Sequence, residues 1–403
     1  MGRLRVLQVL HQSVRTSRPE LIRRTGLSRA TVTSLVTDLI AAGLAREDGG
    51  PAELEARSTG RPAQSLSLNP VAAFAIGADI GHEHVRVVLC DLLGTPVWDR
   101  VVTTEVDRAP HETLDLTAEL IEQAIREQGV PRHRVLGIGA DIASPVDKTT
   151  GTLSAEGIMP GWIGVRPGAE LEHRTGLPAQ LTNDADAGAL AEQLYGAARD
   201  IEDLVYVRLS AGIGAGIVAG GRLLRGTSGL VGELGHLPTV RNGRICRCGN
   251  RGCLETVASP VAIARLLQDS WGHPVATEDL PRLIEQRSRG ALRAVEDAGD
   301  AIGRALACVV TLFNPRLIVI GGDLAAVGEA LFEPIRRAIG RYALPWAAKD
   351  LTVAPGQLGA SAEVRGAAGG VLARAPRRLA VMADAEPIAL VGRGDSGLSA
   401  EFG

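Results

Sequence analysis

The sequence of 403 residues lacks the long apolar runs that a membrane protein needs. No stretch approaches the roughly 18 to 20 consecutive apolar residues of a transmembrane helix. Arg3 and Arg5 lie at the N-terminus without the apolar segment of a secretory signal behind them. We therefore expect a soluble, cytoplasmic protein with no membrane partner. At this length the chain accommodates two or three packed domains, which excludes a single small module.

The sequence also lacks an overall positive charge, since 43 Lys and Arg residues face 46 Asp and Glu residues and give a net charge of −3. This balance argues against a polybasic nucleic-acid binder over the whole length. The charge is unevenly divided, however. Residues 1–68 hold ten Arg, no Lys and six acidic residues, about +4, which leaves about −7 for the remainder. Any DNA-binding segment is therefore expected at the N-terminal end.

Cysteines are too few and too unevenly placed for a disulfide framework. Of the five, three lie within residues 246–253, whereas Cys90 and Cys308 stand alone in apolar surroundings. Such clustering in a cytoplasmic chain favours a metal over disulfides. The motif Cys-x-Cys-Gly-x-x-Gly-Cys has two glycines that let three thiolates converge on a tetrahedral ion. The predicted Zn²⁺ ligands are Cys246, Cys248, Cys253 and, as the nearest imidazole upstream, His236. The alternative is a loop of reduced thiols without a metal.

The first 70 residues predict three short helices and a two-stranded wing. Ser17 and Glu20 form a capping-box pattern before the second helix, and Ser28 is placed to cap a third helix that ends near Gly43. The polar face of this third helix carries short hydroxyl side chains and one guanidinium, which suit phosphates and base edges in a major groove. The predicted DNA contacts are Ser28, Arg29, Thr31, Thr33, Ser34 and Thr37 on this helix and Arg57 and Arg61 in the wing. A small helical bundle with a solvated polar face is the alternative.

From residue 72 onward the pattern changes to strands that alternate with helices. A strand, a glycine turn and a second strand occur in both halves of this region, which predicts two α/β lobes with a ligand cleft between them. The predicted strands are 74–79, 85–90, 97–102, 135–142, 204–209, 213–219 and 317–320, and the predicted helices are 111–128, 188–196 and 301–313. The last 25 or so residues are expected to be flexible.

Two further motifs are ambiguous when taken alone. Asn183 and Asp184 stand at a strand-to-helix junction, where they could hold a polyol and where the aspartate could remove a hydroxyl proton. The same residue types also cap helices in any protein. The glycine-rich loop at 210–216 could bring backbone amides close to a phosphate, or it could form an ordinary hairpin.

Together these motifs resemble the ROK family, named for repressors, open reading frames and kinases, up to about residue 375. The specific part is Glu-Leu-Gly-His at 233–236, followed by the cysteine motif and by Leu-Glu at 254–255. The helix-turn-helix, with Gly-Arg-Pro at 60–62 and Leu-Asn-Pro at 68–70, resembles the xylose-repressor-like regulators of the family.

The resemblance implies an N-terminal winged helix-turn-helix followed by a two-lobed α/β fold of the actin/hexokinase kind. The implied domains are the DNA-binding domain at 1–70, a first lobe at 71–190, a second lobe at 191–375 whose last helix returns to the first lobe, and a flexible tail at 376–403. The implied sugar-binding residues are Asn183, Asp184, Glu233, His236 and Glu255. Asp184 corresponds to the catalytic base of the kinases and would be catalytic only if kinase activity persists.

The sequence departs from the kinases of the family in its phosphate loops. The family pattern Asp-x-Gly-Gly-Thr-Lys is replaced by Asp-Ile-Gly-His-Glu-His at 79–84, and Ala211 stands where the kinases carry a threonine. At an effective dielectric of about 20, Glu83 at some 4 Å from a phosphate would cost on the order of 4 kcal/mol. Ala-Ser-Pro at 143–145 and Ile158 also differ from the family pattern on the sugar side. We therefore expect a retained sugar pocket and a lost nucleotide site.

The sequence as a whole predicts a sugar-responsive, DNA-binding transcriptional regulator, a repressor of carbohydrate metabolism with degenerate kinase motifs. Its expected partners are operator DNA, a sugar or sugar-derivative effector, and further copies of itself in a homodimer or a dimer of dimers. One alternative is an active ATP-dependent sugar kinase that carries a regulatory DNA-binding domain. Another is a regulator that senses a protein, such as a transport component.

Overall fold

The computed structural model describes residues 1–13, 15–51, 64–153 and 157–382. The chain forms two compact units. Of the residues described, one unit consists of those within Met1–Ala73 together with residues 373–382, and the other consists of those within Phe74–Leu372. Among the described residues, none of the helices combines the length and the apolar character needed to cross a bilayer.

The N-terminal unit contains the predicted three helices and two-stranded wing. Its elements are α1 (Gly2–Gln12), α2 (Arg18–Thr25), α3 (Arg29–Ala41), β1 (Ala45–Pro51) and β2 (Gln64–Leu68). The two strands pair antiparallel, with Ala45 opposite Leu68. Fully buried leucines of this unit, among them Leu7, Leu21 and Leu39, form the apolar interior that fixes the three helices.

Side-chain caps begin the second and third helices where the sequence predicts them. The Ser28 hydroxyl accepts a hydrogen bond from the amide of Thr31 at 3.2 Å, and that of Ser17 accepts one from the amide of Glu20 at 3.4 Å. The reciprocal half of the predicted capping box is replaced, because the Glu20 carboxylate pairs with Arg23 at 2.6 Å. An exposed cation one turn away thus engages the carboxylate.

The larger unit begins with the predicted first lobe. In chain order it contains β3 (Phe74–Ile80), β4 (His84–Asp91), β5 (Pro96–Thr103), α4 (Pro110–Glu127), β6 (Val135–Ile142), β7 (Val146–Asp147), β8 (Thr152–Leu153), α5 (Pro167–Thr175) and β9 (Ala179–Asn183). Five strands form one sheet in the order β5-β4-β3-β6-β9. The first three form an antiparallel meander, and β6 and β9 add in parallel.

The second lobe repeats this topology. It contains α6 (Asp184–Tyr195), β10 (Leu204–Leu209), β11 (Ile213–Ala219), β12 (Arg222–Leu223), α7 (Glu255–Ala258), α8 (Pro260–Trp271), α9 (Leu280–Glu285), α10 (Arg289–Phe313), β13 (Leu317–Gly321), α11 (Glu329–Tyr342), α12 (Pro345–Ala348), β14 (Thr352–Pro355) and α13 (Ala362–Leu372). Its sheet has the order β12-β11-β10-β13-β14, again an antiparallel meander extended by two parallel strands. The prediction of two similar α/β lobes is confirmed.

Helices α6 and α13 pack against each other and link the two sheets. Helix α6 contacts β10 and β11, whereas α13 contacts β3 and β6. Glycine is required at the contacts, since a Cβ atom on Gly366 would lie 1.8 Å from the Ala187 carbonyl oxygen and one on Gly139 would lie 1.9 Å from that of Ala367. This close packing places the start of α6, and hence Asp184, between the lobes.

Two helices begin earlier in the chain than predicted. Helix α6 starts at Asp184 rather than at residue 188, because Asn183 already caps its first turn. Helix α10 starts at Arg289 rather than at residue 301, and its additional turns bury Ala291, Ala294 and Ala298. An apolar face made of alanine gives a weak periodic signal, which explains the short prediction.

The C-terminal helix α14 (Ala375–Met382) belongs to the N-terminal unit and packs against α1. Leu379 is fully buried, and an Arg3 guanidinium nitrogen donates to the Ala380 carbonyl oxygen at 3.4 Å. The expectation of a flexible tail from residue 376 is therefore wrong up to Met382. Residues 383–403 lie outside the described residues.

Candidate functional site

A cavity between the two lobes, of about 460 Å³ when the space open to solvent is included, is lined by the polar residues that the sequence singled out. Its lining includes all five predicted sugar-binding residues, namely Asn183, Asp184, Glu233, His236 and Glu255. They come from the start of α6, from the loop after β12 and from the start of α7. Ala143, Ser144, Pro145 and Ile158, the positions that depart from the kinase pattern, line the same cavity.

Asn183 and Asp184 serve the local structure as well as the cavity. The Asn183 side-chain oxygen accepts the amides of Ala185 at 2.9 Å and Asp186 at 3.4 Å, and its nitrogen donates to the Ser144 carbonyl at 3.3 Å. The capping role and the pocket position, which the sequence left as alternatives, therefore occur together. Asp184 accepts the Ala185 amide at one carboxylate oxygen and faces Arg208 at 3.0 Å with the other.

The opposite wall of the cavity carries Glu233 and Glu255. Arg247 donates to both Glu255 oxygens, at 3.0 and 3.3 Å, and the Ile213 amide donates to one of them at 3.3 Å. Burial, followed by the charges of Asp184 and Glu255, raises the pKa of Glu233 to about 7. The cavity thus presents oxygen acceptors and charge-paired side chains, which is the chemistry that holds a polyhydroxylated ligand.

The four predicted metal ligands converge beside this cavity. The donor atoms of His236, Cys246, Cys248 and Cys253 all lie within 4.8 Å of one another. The Cys246 sulfur is 3.6 Å from His236 Nδ1, and the sulfurs of Cys248 and Cys253 are 3.7 Å apart. Two thiolates on one tetrahedral zinc, with bonds of about 2.3 Å, would be roughly 3.8 Å apart. The cluster therefore fits one tetrahedral metal ion.

His236 connects the metal cluster to the cavity. Its Nδ1 faces the Cys246 sulfur, while its Nε2 lies 3.7 Å from a Glu233 carboxylate oxygen. Burial lowers the pKa of His236, which favours the neutral imidazole that a metal requires. A ligand on one ring nitrogen fixes the tautomer and orientation of the other.

A second cavity, of about 1840 Å³ when the space open to solvent is included, lies on the side of the altered phosphate loop. Acidic residues predominate among its charged lining, which includes Asp79, Glu83, Asp323 and Glu363. Glu83 is exposed, so water screens its charge and the cost assigned to it from the sequence is too high. Within the altered phosphate loop, His84 departs further from the kinase pattern than Glu83 does. Its side chain pairs with Asp79 at 3.0 Å and lies over Gly81.

Several of the charges between the two cavities are deeply buried. Burial would raise the pKa of Asp79, but the hydrogen bond and charge of His84 outweigh it and lower this pKa. Burial and the neighbouring Asp79 raise the pKa of Asp141 well above its usual value. The pKa values of these two adjacent carboxyl groups are therefore shifted in opposite directions.

Sequence reasoning missed Arg208 and Arg247 as cavity residues. Arg208 occupies a strand whose remaining residues are Leu, Val, Tyr, Val and Leu, so a lone charge within a buried strand was the available signal. Its partners are Asp184 and Glu363, the latter 155 positions away. A local sequence pattern cannot predict contacts over such separations. Arg247 lies between two cysteines, so the sequence indicated only that it belongs to the metal motif.

In the N-terminal unit, the six predicted contact residues on α3 and its cap, from Ser28 to Thr37, are all exposed. Two hydroxyl groups already have local partners, since Ser28 bonds Thr31 at 2.8 Å and Thr37 donates to the Thr33 carbonyl at 3.0 Å. Arg29 has no ion-pair partner among the described residues that could compete with a phosphate. The wing residues Arg57 and Arg61 lie outside the described residues.

Comparison with known proteins assigns each of the two units to a family. Residues 75–374 match the profile of the ROK family, and residues 3–46 match that of a winged helix-turn-helix DNA-binding domain. The chain is 30% identical over 381 residues to the DNA-binding transcriptional repressor Mlc of Escherichia coli, covering 90% of this chain and 91% of that protein. It is 29% identical over 350 residues to the xylose repressor of Bacillus spizizenii, covering 87% and 89%.

A solved structure agrees with this assignment. The crystal structure of a ROK family transcriptional regulator, described as a homologue of the E. coli Mlc protein, superposes with a TM-score of 0.77 at 30% identity. The match covers 94% of this chain and 97% of that one, which includes both the helix-turn-helix and the two-lobed body. The chain therefore belongs to the ROK family and carries a winged helix-turn-helix DNA-binding domain at its N-terminus.

Proposed function

We propose that this protein is a sugar-responsive transcriptional repressor of carbohydrate metabolism that acts in the cytoplasm. The observation that carries the proposal is the joint presence, in one chain, of an exposed polar helix in a helix-turn-helix and of a cavity where five polar residues converge. The similarity to a xylose repressor and to a DNA-binding repressor over most of both chains supports the same conclusion.

Operator DNA would be bound through α3. Arg29 and the hydroxyl groups of Thr31, Thr33, Ser34 and Thr37 provide donors for base edges and phosphates, and Ser28 places a hydroxyl at the N-terminus of the helix. Arg57 and Arg61 would add phosphate contacts from the wing. Two copies of the chain in a homodimer, or four in a dimer of dimers, would match paired half-sites on DNA.

The effector would be a sugar or sugar derivative bound in the cavity between the lobes. The oxygens of Asp184, Glu233 and Glu255 accept hydrogen bonds from hydroxyl groups, and Asn183 and His236 complete the polar lining. With Asp184 paired to Arg208 and Glu255 paired to Arg247, the cavity offers little surplus positive charge. This balance favours a neutral carbohydrate over an anionic one.

A structural zinc ion would be held by His236, Cys246, Cys248 and Cys253. It would supply a cross-link between the loop that carries Glu233 and the segment that leads into α7 and Glu255. These two loops form one wall of the cavity, so the metal would fix the acceptors that face the effector. The fit of the four donor atoms to one tetrahedral ion supports the assignment.

The contacts at the altered phosphate loop and at Asp184 favour a regulator over a sugar kinase. Asp79, which opens the altered phosphate loop, is paired with His84, and Asp184 is paired with Arg208. An active kinase with a regulatory DNA-binding domain is the second candidate, and the position of Asp184 in the cavity favours it. Incubation with a panel of aldoses, ATP and Mg²⁺ separates the two, because kinases typically turn over at about 1 to 100 per second.

Regulation requires the effector to prefer one of two arrangements of the protein, since a ligand with equal affinity for both shifts nothing. Closure of the two lobes on the sugar, transmitted through the chain near Pro70, is the proposed switch.

The decisive experiment is a thermal-shift screen with free and phosphorylated sugars, repeated with DNA from the protein's own promoter. A repressor of this kind should melt at a higher temperature with one sugar class and should change its DNA affinity with the same sugar. If no sugar raises the melting temperature at any concentration, the sugar-sensing proposal fails, and a protein partner such as a transport component becomes the expected signal.

A further inference from the structure

Arg208 is a buried cation at the meeting point of the two cavities. It lies on β10 and lines both the cavity of about 460 Å³ and the cavity of about 1840 Å³. Its side chain is only 14% exposed. A buried guanidinium must be compensated, because the desolvation of an ion costs several kcal/mol unless charges and hydrogen bonds replace the lost water.

Three carboxylates provide the compensation. Arg208 Nη1 is 3.0 Å from an Asp184 oxygen, and Nε donates to a Glu363 oxygen at 3.0 Å. The Tyr206 hydroxyl donates to that same Glu363 oxygen at 3.0 Å. Burial alone would lower the pKa of Arg208, but Asp184, Glu363 and then Asp79 raise it well above its usual value. The guanidinium therefore remains charged.

These carboxylates belong to elements that are distant in the sequence. Asp184 begins α6, Glu363 lies in the first turn of α13, and Asp79 lies on β3 of the first sheet. A fourth acid, Asp141, pairs in register with Asp79 on the neighbouring strand. Without the guanidinium, carboxylate oxygens of Asp184 and Glu363 would face the position that it occupies, with the buried acids Asp79 and Asp141 on the neighbouring sheet. Carboxylate oxygens are the ligand type that Mg²⁺ and Mn²⁺ prefer.

We propose that Arg208 is a built-in substitute for a divalent cation, which neutralises the acids between the two cavities and positions Asp184 as a hydrogen-bond acceptor. Effector binding then needs neither a divalent metal nor a nucleotide. The role of Asp184 toward the effector rests on the proposed function, whereas the charge role of Arg208 is testable without any sugar.

The same contact explains how a residue at the position of a catalytic base can act as a binding residue. One Asp184 oxygen accepts the Ala185 amide at 2.7 Å and the other faces the Arg208 cation. Arg208 is thus a positioning residue that orients the Asp184 carboxylate.

The test compares three variants of the full-length protein in the presence and absence of Mn²⁺. Arg208→Met keeps the aliphatic volume and removes the charge, and Arg208→Lys keeps a charge. Arg174→Met is the matched control, because Arg174 is 17% exposed and likewise pairs with two carboxylates, those of Asp115 and Glu170, on the first lobe. Melting temperature and the electron paramagnetic resonance signal of free Mn²⁺ are the readouts.

We expect Arg208→Met to bind one additional Mn²⁺ per chain and to melt roughly 5 °C higher at saturating Mn²⁺. The wild type, Arg208→Lys and Arg174→Met should show neither effect. In the wild type, saturating Mg²⁺ should leave the affinity for any sugar found in the thermal-shift screen unchanged.

The proposal is overturned if folded Arg208→Met neither binds Mn²⁺ nor gains stability from it, or if the wild type itself takes up Mn²⁺ between the lobes. If Arg208→Met folds only when Mn²⁺ is present, the proposal is supported. If it folds under neither condition, the wild-type arm decides, since uptake of Mn²⁺ would contradict a built-in cation. Failure of every sugar to bind would defeat the proposed function but would leave the Mn²⁺ comparison intact.

Discussion

Asp186 carries a charge that burial makes costly. It lies in the first turn of α6 with its side chain 8% exposed, and its nearest cation is Arg225 at 3.7 Å. Burial raises its pKa from 3.8 to about 7, while Arg225 opposes this rise and Asp184 adds to it. The folded state therefore holds the Asp186 proton more tightly than the unfolded chain does.

The pH dependence of stability follows from this difference. As the pH rises from about 4 to about 7, the unfolded chain ionises Asp186 first, so the free energy of unfolding falls and then levels off above pH 7. Asp186→Asn removes this contribution. Its free energy of unfolding, relative to that of the wild type, should therefore rise by on the order of 3 kcal/mol as the pH goes from 4 to 8. Denaturant unfolding at a series of pH values measures it, with the exposed Asp269→Asn as the control. Parallel pH curves for wild type and Asp186→Asn would contradict the assignment.

The cysteine cluster makes a prediction about metal content. Cys248→Ser removes one of four converging donors, so metal analysis should fall from about one zinc per chain to a small fraction, with lower stability of the second lobe. Cys308→Ser, which alters an exposed thiol outside the cluster, should retain all of the zinc. Full zinc retention by Cys248→Ser would show that the ligand set is wrong.

How well individual residues could be predicted depended on the range of their contacts. Motif spacing in the sequence identified the clustered cysteines, Glu233, His236 and Asn183. The structure brings them together in the cavity and the adjacent cysteine cluster. Arg208 was missed because its role arises from α6 and α13, which meet it only in the folded chain. The effect of Glu83 was overstated because a sequence does not reveal that a side chain points to solvent.

At the scale of elements, strands were predicted better than helix boundaries. Strands β6, β10 and β11 have the predicted bounds, because each combines apolar residues with flanking glycine or charged turns. Helix α10 was predicted too short, since alanine and glycine form its buried N-terminal face. Helix α14 was missed because its Arg- and Ala-rich sequence has only two turns, and α1 supplies the surface that stabilises it.

Helix α3 provides a prediction on DNA binding. Arg29→Ala should weaken operator binding and, if Arg29 contacts a phosphate, should reduce the slope of log K against log salt by about 0.9. A base contact would instead cost about 1 to 3 kcal/mol and relax specificity at one position. Fluorescence anisotropy at several salt concentrations distinguishes these cases, with the exposed Arg293→Ala of the larger unit as the control. Unchanged DNA affinity would exclude α3 as the recognition helix.

Helix α14 provides a prediction on stability. Leu379 is fully buried in the N-terminal unit, so Leu379→Ala should lower the free energy of unfolding of this unit by about 2 to 4 kcal/mol. Val381, two positions along the same helix, is 74% exposed, and Val381→Ala should change it by less than about 0.5 kcal/mol. Thermal unfolding of the two variants tests this, and equal effects would argue against the packing of α14 on α1.

At the scale of the whole molecule, effector and operator must influence each other reciprocally. If a sugar lowers the affinity for the operator tenfold, saturation with the operator must lower the affinity for that sugar tenfold. Calorimetric titration of the sugar with and without operator measures this factor. Arg29→Ala, with its DNA binding impaired, should show the sugar affinity of the free protein in both conditions. A one-sided effect would mean that the sugar and the DNA do not act on the same equilibrium.

The N-terminal unit is built from both ends of the chain, and this has a consequence during biosynthesis. About 300 residues separate Ala73 from Ala373, so at about 5 to 20 residues per second the ribosome needs roughly 15 to 60 s between them. Until α14 emerges, α1 lacks the helix that covers it. A polypeptide that ends before α14 therefore lacks one helix of the N-terminal unit, and every chain that completes this unit has already been synthesised through both lobes.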